Sequence, residues 1–138
     1  MGAGTVQGNY IHDPGYIPGD HTDGIMAGGS TVPTTIQGNT VFISLGQTDA
    51  VTLDASGPGQ QVANQTVQGN FLAGGAYALY AGAGNNAATS NIHIQNNRFG
   101  QQYFAKSGQY GADAYYSATG PGNVWSGNVW DTTGQPAT

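Results

Sequence analysis

Five asparagines, Asn9, Asn39, Asn70, Asn97 and Asn128, recur along the chain at intervals of 30, 31, 27 and 31 residues. In the middle copy the setting reads apolar-Gln-Gly-Asn-apolar, Val67-Gln68-Gly69-Asn70-Phe71. Related segments surround the others: Thr5 to Ile11, Thr35 to Ile43, Asn91 to Phe99 and Val124 to Trp130. A second segment follows at a steady offset, with Asp23-Gly24-Ile25, Asp49-Ala50-Val51 and Tyr77-Ala78-Leu79 spaced 26 and 28 residues apart. A period near 30 is shared by leucine-rich, ankyrin and helix-pair solenoids, but those need Leu-rich or helix-forming units. Helix formers are scarce here. Short strands of Val, Ile and Thr broken by Gly and Asn predict a parallel β-solenoid, all-β, with two strands per unit and about five rungs of roughly 30 residues. In such a coil the apolar residues stack inside, and asparagines at one corner can form a hydrogen-bonded ladder along the axis. At a rise of about 4.8 Å per rung the solenoid stands roughly 25 Å tall.

The chain of 138 residues is read as a single domain, 1–138, long enough for one modest core. Its 24 glycines raise the alternative of disorder, against which the regular strand segments argue. Only 7% of residues are charged: seven Asp, no Glu, and Arg98 and Lys106 as the sole cations, for a net charge of -5. So few cations cannot neutralise a track of phosphates, which argues against a nucleic-acid partner. Without Cys there is neither a disulfide framework nor a thiolate metal site. No apolar run approaches the roughly 20 residues of a membrane-spanning helix, and Met1 to Tyr10 lacks the pattern of a signal peptide. The stretch from Gly100 to Gly122 departs from the repeat, and its aromatic residues, among them Tyr103, Tyr110 and Tyr115, are expected to pack across one face.

The recurring units resemble the right-handed parallel β-helix proteins of the pectate-lyase-like superfamily. The likeness is sharpest in Asn9-Tyr10-Ile11-His12-Asp13, His21-Thr22-Asp23-Gly24-Ile25 and Gly127-Asn128-Val129-Trp130. It extends to the C-terminal rungs of actinobacterial β-helix proteins and to phage β-helix virion components. The resemblance implies a right-handed coil, and it implies either polysaccharide chemistry or a structural role in a phage particle, since one scaffold serves both.

The sharpest chemical constellation is Asp23 with Asp49, which occupy equivalent places on adjacent units. Their carboxylates would lie roughly 5 Å apart by strand spacing. Such a pair shares a proton, holds a cation such as calcium, or works as a retaining glycosidase pair. Should the chain be an enzyme, Asp23, Asp49 and His21 are the catalytic candidates. As a binding protein it would use His12, His21, Asp23, Asp49, Tyr103, Tyr110 and Tyr115, with tyrosines stacking on sugar rings. Asp beside Gly at a strand start is also a common turn former. A calcium loop through Asp13, Asp20 and Asp23 matches no EF-hand spacing, so no cofactor and no metal is assigned. Arg98 is expected to pair with Asp113, and alternation turns His93 away from the face of Ile92 and Ile94.

A short solenoid has open strand edges at its ends that a neighbour must pair or cap. The function expected is therefore a structural or attachment protein, a phage virion accessory such as a capsid decoration or small tail component, with a capacity for glycan binding. Its partners would be itself or other virion proteins, through the solenoid ends, and polysaccharide. The alternative is a polysaccharide-degrading glycoside hydrolase or lyase, or a remnant of one, secreted if this chain is a piece of a longer precursor.

Overall fold

The computed structural model describes residues 3–137, and its fourteen strands are organised by the repeat. The first unit contributes β1 (Gly4–Gln7), β2 (Tyr10–Ile11) and β3 (Asp23–Met26), and the second β4 (Thr34–Gln37), β5 (Thr40–Ile43) and β6 (Asp49–Thr52). The third contributes β7 (Ala63–Gln68), β8 (Phe71–Gly74) and β9 (Tyr77–Tyr80), and the fourth β10 (Ser90–Gln95), β11 (Arg98–Phe99) and β12 (Gly111–Ala114). β13 (Val124–Ser126) and β14 (Val129–Trp130) begin a fifth. No helix forms among the described residues.

Like strands of successive units pair in parallel, giving sheets ordered β1-β4-β7-β10-β13, β14-β11-β8-β5-β2 and β12-β9-β6-β3. The chain is thus a three-sided β-solenoid of four full coils plus two strands, slightly shorter than the five rungs expected. Each coil has three strands, because the segment read as one strand around each Asn turns a corner at that Asn. The turning residue is left-handed in every coil: Gly8 (φ 68°), Gly38 (62°), Gly69 (62°), Asn96 (55°) and Gly127 (65°). Gly and Asn are the residues that visit this region without a large steric penalty, which explains their recurrence there.

The asparagines following these corners form the predicted ladder. Asn70 Nδ2 donates to Asn97 Oδ1 at 3.0 Å and to the Ile36 carbonyl at 2.9 Å, while its Oδ1 accepts from the backbone N and Nδ2 of Asn39. Asn39 and Asn97 repeat the arrangement, so the amides at the centre of the ladder use all four bonding positions despite being buried. Beside the ladder three apolar columns fill the interior: Ile36, Val67 and Ile94 from the first sheet, Val41, Leu72 and Phe99 from the second, and Ile25, Val51 and Leu79 from the third. Of these only Ile25, in the first coil, is more than 1% exposed. Residues 131–137 fold back over the last strands, with an antiparallel bridge between Val129 and Pro136 and a bond from Ala137 N to the Asn128 carbonyl at 2.9 Å.

Two expectations need correction. The stretch from Gly100 to Gly122 does not leave the repeat, because it contains β12, whose Gly111 pairs with Tyr77 and Asp113 with Leu79. Only the loop before β12 is an excursion. Arg98 pairs with Asp131 at 3.2 Å rather than with Asp113, and it lies over the Phe71 ring at 4.3 Å, because β11 and β14 are neighbours in the second sheet.

Candidate functional site

The third sheet carries a polar cleft of about 420 Å³ on its outer side. Its floor follows from register: Asp23 pairs with Asp49, Asp49 with Tyr77, and three residues further along Met26, Thr52 and Tyr80 line up in the same way. His21, Thr48, Asp54, Gln60 and Tyr115 complete the walls. Asp54 is tied down by the Gly84 amide, which donates to its Oδ1 at 2.7 Å.

Asp49 is the most constrained of these groups, only 2% exposed. The Gly74-Gly75 corner of the next coil presses against it, and a Cβ on Gly75 would lie 2.6 Å from Asp49 Cα, so the close approach depends on glycine. The Asp49 carboxyl is pushed up to about 9, first by burial, then by the charge of Asp23 and a hydrogen bond with it, with Asp54 adding a little. At neutral pH Asp49 therefore carries the proton that the pair shares. Its Oδ1 and Thr48 Oγ1 are two of only three buried side-chain polar atoms among the described residues that lack a partner. A native structure keeps few such atoms, and these two lie beneath the cleft floor, closed off from it by their burial.

Aromatic rings continue the cleft along the solenoid. Tyr110, Tyr77, Tyr80 and Tyr115 form a chain with centroids 6.0, 5.5 and 5.5 Å apart. Burial, assisted by Asp49, holds the Tyr80 phenol at about 12, so it remains a hydrogen-bond donor across the physiological range. Carboxyls at one end of the face and phenols at the other give a surface able to bond sugar hydroxyls and stack on ring faces.

The residues singled out from sequence fall on two faces. His21, Asp23, Asp49, Tyr110 and Tyr115 gather on the third sheet, whereas His12 and Tyr103 lie on the second. There His12 Nδ1 contacts Asp13 Oδ2 at 2.6 Å and the His12 ring stacks on Tyr10 at 4.2 Å, while Phe42 links Tyr10 to Tyr103. Burial and the nearby Asp13 raise the Tyr103 phenol. His93 turns from the buried Ile92 and Ile94, and its Nε2 lies 3.1 Å from the Gly122 carbonyl. Among the described residues no group of three or more acidic, His or Cys side chains converges as a metal site. Sequence reasoning missed Thr48, Asp54, Gln60 and Tyr80. Extending the aligned second strands three residues beyond Asp23, Asp49 and Tyr77 would have found the Met26, Thr52, Tyr80 column. Asp54 and Gln60 lie in a loop that no period marks.

Compared with protein-family models, with curated proteins and with solved structures, the chain matches none.

Proposed function

We propose that this chain is an attachment protein: a rigid β-solenoid that holds a neutral glycan in the cleft of its third sheet. The observation that carries this reading is the cleft's lining, in which the polar side chains of His21, Asp23, Asp54 and Gln60 stand with the paired rings of Tyr80 and Tyr115. Two further carboxyls, Asp23 and Asp54, stand beside the protonated Asp49 with no Lys or Arg in the lining, which disfavours uronate chains and favours uncharged sugars. A phage particle, as a capsid decoration or small tail component, is the setting we propose. Among the described residues β1, β2 and β3 each leave one side of their sheet unpaired, an edge on which a further strand can add, and in the proposed setting a neighbouring subunit supplies it.

Binding is favoured over cleavage by the burial of one of the two acids. A retaining glycosidase keeps its carboxyls about 5–5.5 Å apart so that one attacks carbon while the other protonates oxygen. Asp49 is instead 2% exposed with the Gly75 corner packed on its Cα, and its carboxyl, pushed up to about 9, is not a ready nucleophile at neutral pH. A lyase would need a basic or charge-neutralising cation, which the lining lacks.

The test is a titration of the protein with neutral and uronate oligosaccharides, followed by NMR and calorimetry. Saturable binding of a neutral oligosaccharide is expected, weakened about tenfold or more by Asp23→Asn and by Tyr80→Ala, since one stacking or charged hydrogen-bond contact is worth about 1–2 kcal/mol. Absence of binding across the neutral panel, or unchanged affinity in both variants, would defeat the reading. Release of reducing ends by the wild-type protein, lost in Asp49→Asn, would replace it with the hydrolase alternative.

A further inference from the structure

The three core columns do not end alike. In the first sheet Ile94 is followed by Trp125, and in the second Phe99 is followed by Trp130. In the third, Leu79, which is 0% exposed, is followed by Asp113. A carboxyl therefore stands at the end of an apolar stack, one coil beyond a fully buried leucine.

Asp113 opens into a cavity of about 430 Å³ at the C-terminal end of the solenoid, two coils beyond Asp49 along the third sheet. Tyr116, Trp125, Pro136 and Ala137 supply most of its apolar wall. The Tyr116 and Trp125 rings meet at 54° with centroids 5.2 Å apart, forming a corner rather than a stack. Trp125 is fixed there, since it stacks on buried Phe99 at 6.0 Å and its Nε1 donates to the Ala137 carbonyl at 3.0 Å. Among the described residues Asp113 has no salt bridge, and Arg98 is already paired with Asp131. Burial holds the Asp113 carboxyl above the usual carboxylate range, so a charge at this position is costly while the cavity is empty.

We propose that this cavity is a binding site for a quaternary ammonium group, with Tyr116 and Trp125 presenting ring faces to the cation and Asp113 as its counter-charge. Two aromatic faces set at an angle are the arrangement that attracts a diffuse cation, and a desolvated site strengthens the attraction. A primary ammonium is a poorer fit, because the other polar side chains of the lining are already engaged, Asn128 Oδ1 accepting from Asn97 and Ser126 Oγ from Gln95, which leaves few acceptors beyond Asp113 for its three N–H donors. A bare metal ion needs several oxygen ligands, and the cavity holds one carboxyl. The proposal stands on its own residues and does not depend on the glycan reading.

The experiment titrates the full chain with tetramethylammonium chloride, against sodium chloride at equal ionic strength, following tryptophan fluorescence and the thermal midpoint. Neopentyl alcohol serves as the uncharged analogue of similar shape. Saturable fluorescence change and a raised midpoint are expected with tetramethylammonium, with at least tenfold weaker binding of the alcohol. Asp113→Asn is expected to weaken tetramethylammonium at least tenfold with unchanged circular dichroism. Asp113→Leu, which continues the apolar column of Ile25, Val51 and Leu79, is expected to raise the midpoint and abolish cation binding. Equal binding of alcohol and cation by the wild-type protein, no saturable response to the cation, or undiminished binding by a folded Asp113→Asn variant would each overturn the proposal.

Discussion

Replacing Asn70 by alanine tests whether the ladder holds the coils together or merely accompanies them. Asn70 is 1% exposed and makes four side-chain hydrogen bonds, at 2.9, 3.0, 2.9 and 3.0 Å. Truncation strands the Asn39 backbone N–H, which has Asn70 Oδ1 as its acceptor, and removes one of the two acceptors of Asn39 Nδ2. A buried donor left without a partner costs about 1–3 kcal/mol. With two donors affected, the expected loss is about 3–5 kcal/mol, a large part of the roughly 5–15 kcal/mol that holds a domain folded. Asn9→Ala removes only two bonds from an exposed side chain at the first coil, where water replaces them, and should cost less than about 1 kcal/mol. Asn70→Asp separates bonding from volume, because the new carboxyl keeps the shape but faces two acceptors, the Ile36 carbonyl and Asn97 Oδ1. Toward those two acceptors the carboxyl bonds only when protonated, and burial opposes its ionisation, so its folded pKa is expected to be raised. The variant should be most stable in acid and lose stability as pH rises. Urea unfolding followed by circular dichroism and tryptophan fluorescence gives the differences from midpoints at constant slope. An Asn70→Ala loss below about 1 kcal/mol, or one no larger than that of Asn9→Ala, would refute the ladder as a stabilising element.

The proton on Asp49 makes a separate prediction about pH. Its folded pKa, about 9, lies above the ordinary 3.8, so its contribution to stability is fully present below about 3.8 and is lost as pH rises toward 9, at up to about 1.4 kcal/mol per unit. Asp49→Asn should flatten that part of the curve in urea titrations between pH 5 and pH 9, and an unchanged slope would show that Asp49 does not hold the proton. Two glycines with positive φ should differ sharply when changed to alanine. Gly74→Ala places a Cβ 1.5 Å from the Ile43 carbonyl oxygen at φ 93° and should cost more than about 3 kcal/mol, while Gly8→Ala, at φ 68° with nothing within 4 Å, should cost only about 1–2 kcal/mol. Equal losses at the two positions, measured by thermal unfolding, would show that close packing at the Gly74 corner is not what requires glycine there.

Much of the architecture was legible because a solenoid writes its contacts as a period. Residues one coil apart touch, so aligning Asn9, Asn39, Asn70, Asn97 and Asn128 identifies the ladder, and aligning Asp23 with Asp49 and Tyr77 yields the observed register. The third strand of each coil was less visible, since the corner within Gln-Gly-Asn interrupts neither the apolar pattern nor the spacing. β12 was hidden for another reason: Gly111-Ala112-Asp113-Ala114 carries none of the apolar bulk of Tyr77-Ala78-Leu79-Tyr80, and only its pairing with β9 reveals it.

Sequence by itself therefore determined the repeat, the parallel stacking, the Asn ladder and the adjacency of Asp23 and Asp49. Each of these depends on a one-dimensional period, in which register along the chain becomes distance along the axis. Tertiary structure alone decided which groups share a face. It sent His21 to the acid pair and His12 to the aromatic stripe around Tyr10, brought Asp54 and Gln60 in from a loop, and buried Asp49 under the Gly74-Gly75 corner so that it keeps its proton. It also left Asp113 at the open end of an apolar column. Such outcomes depend on the paths of loops and on where a stack stops, neither of which repeats.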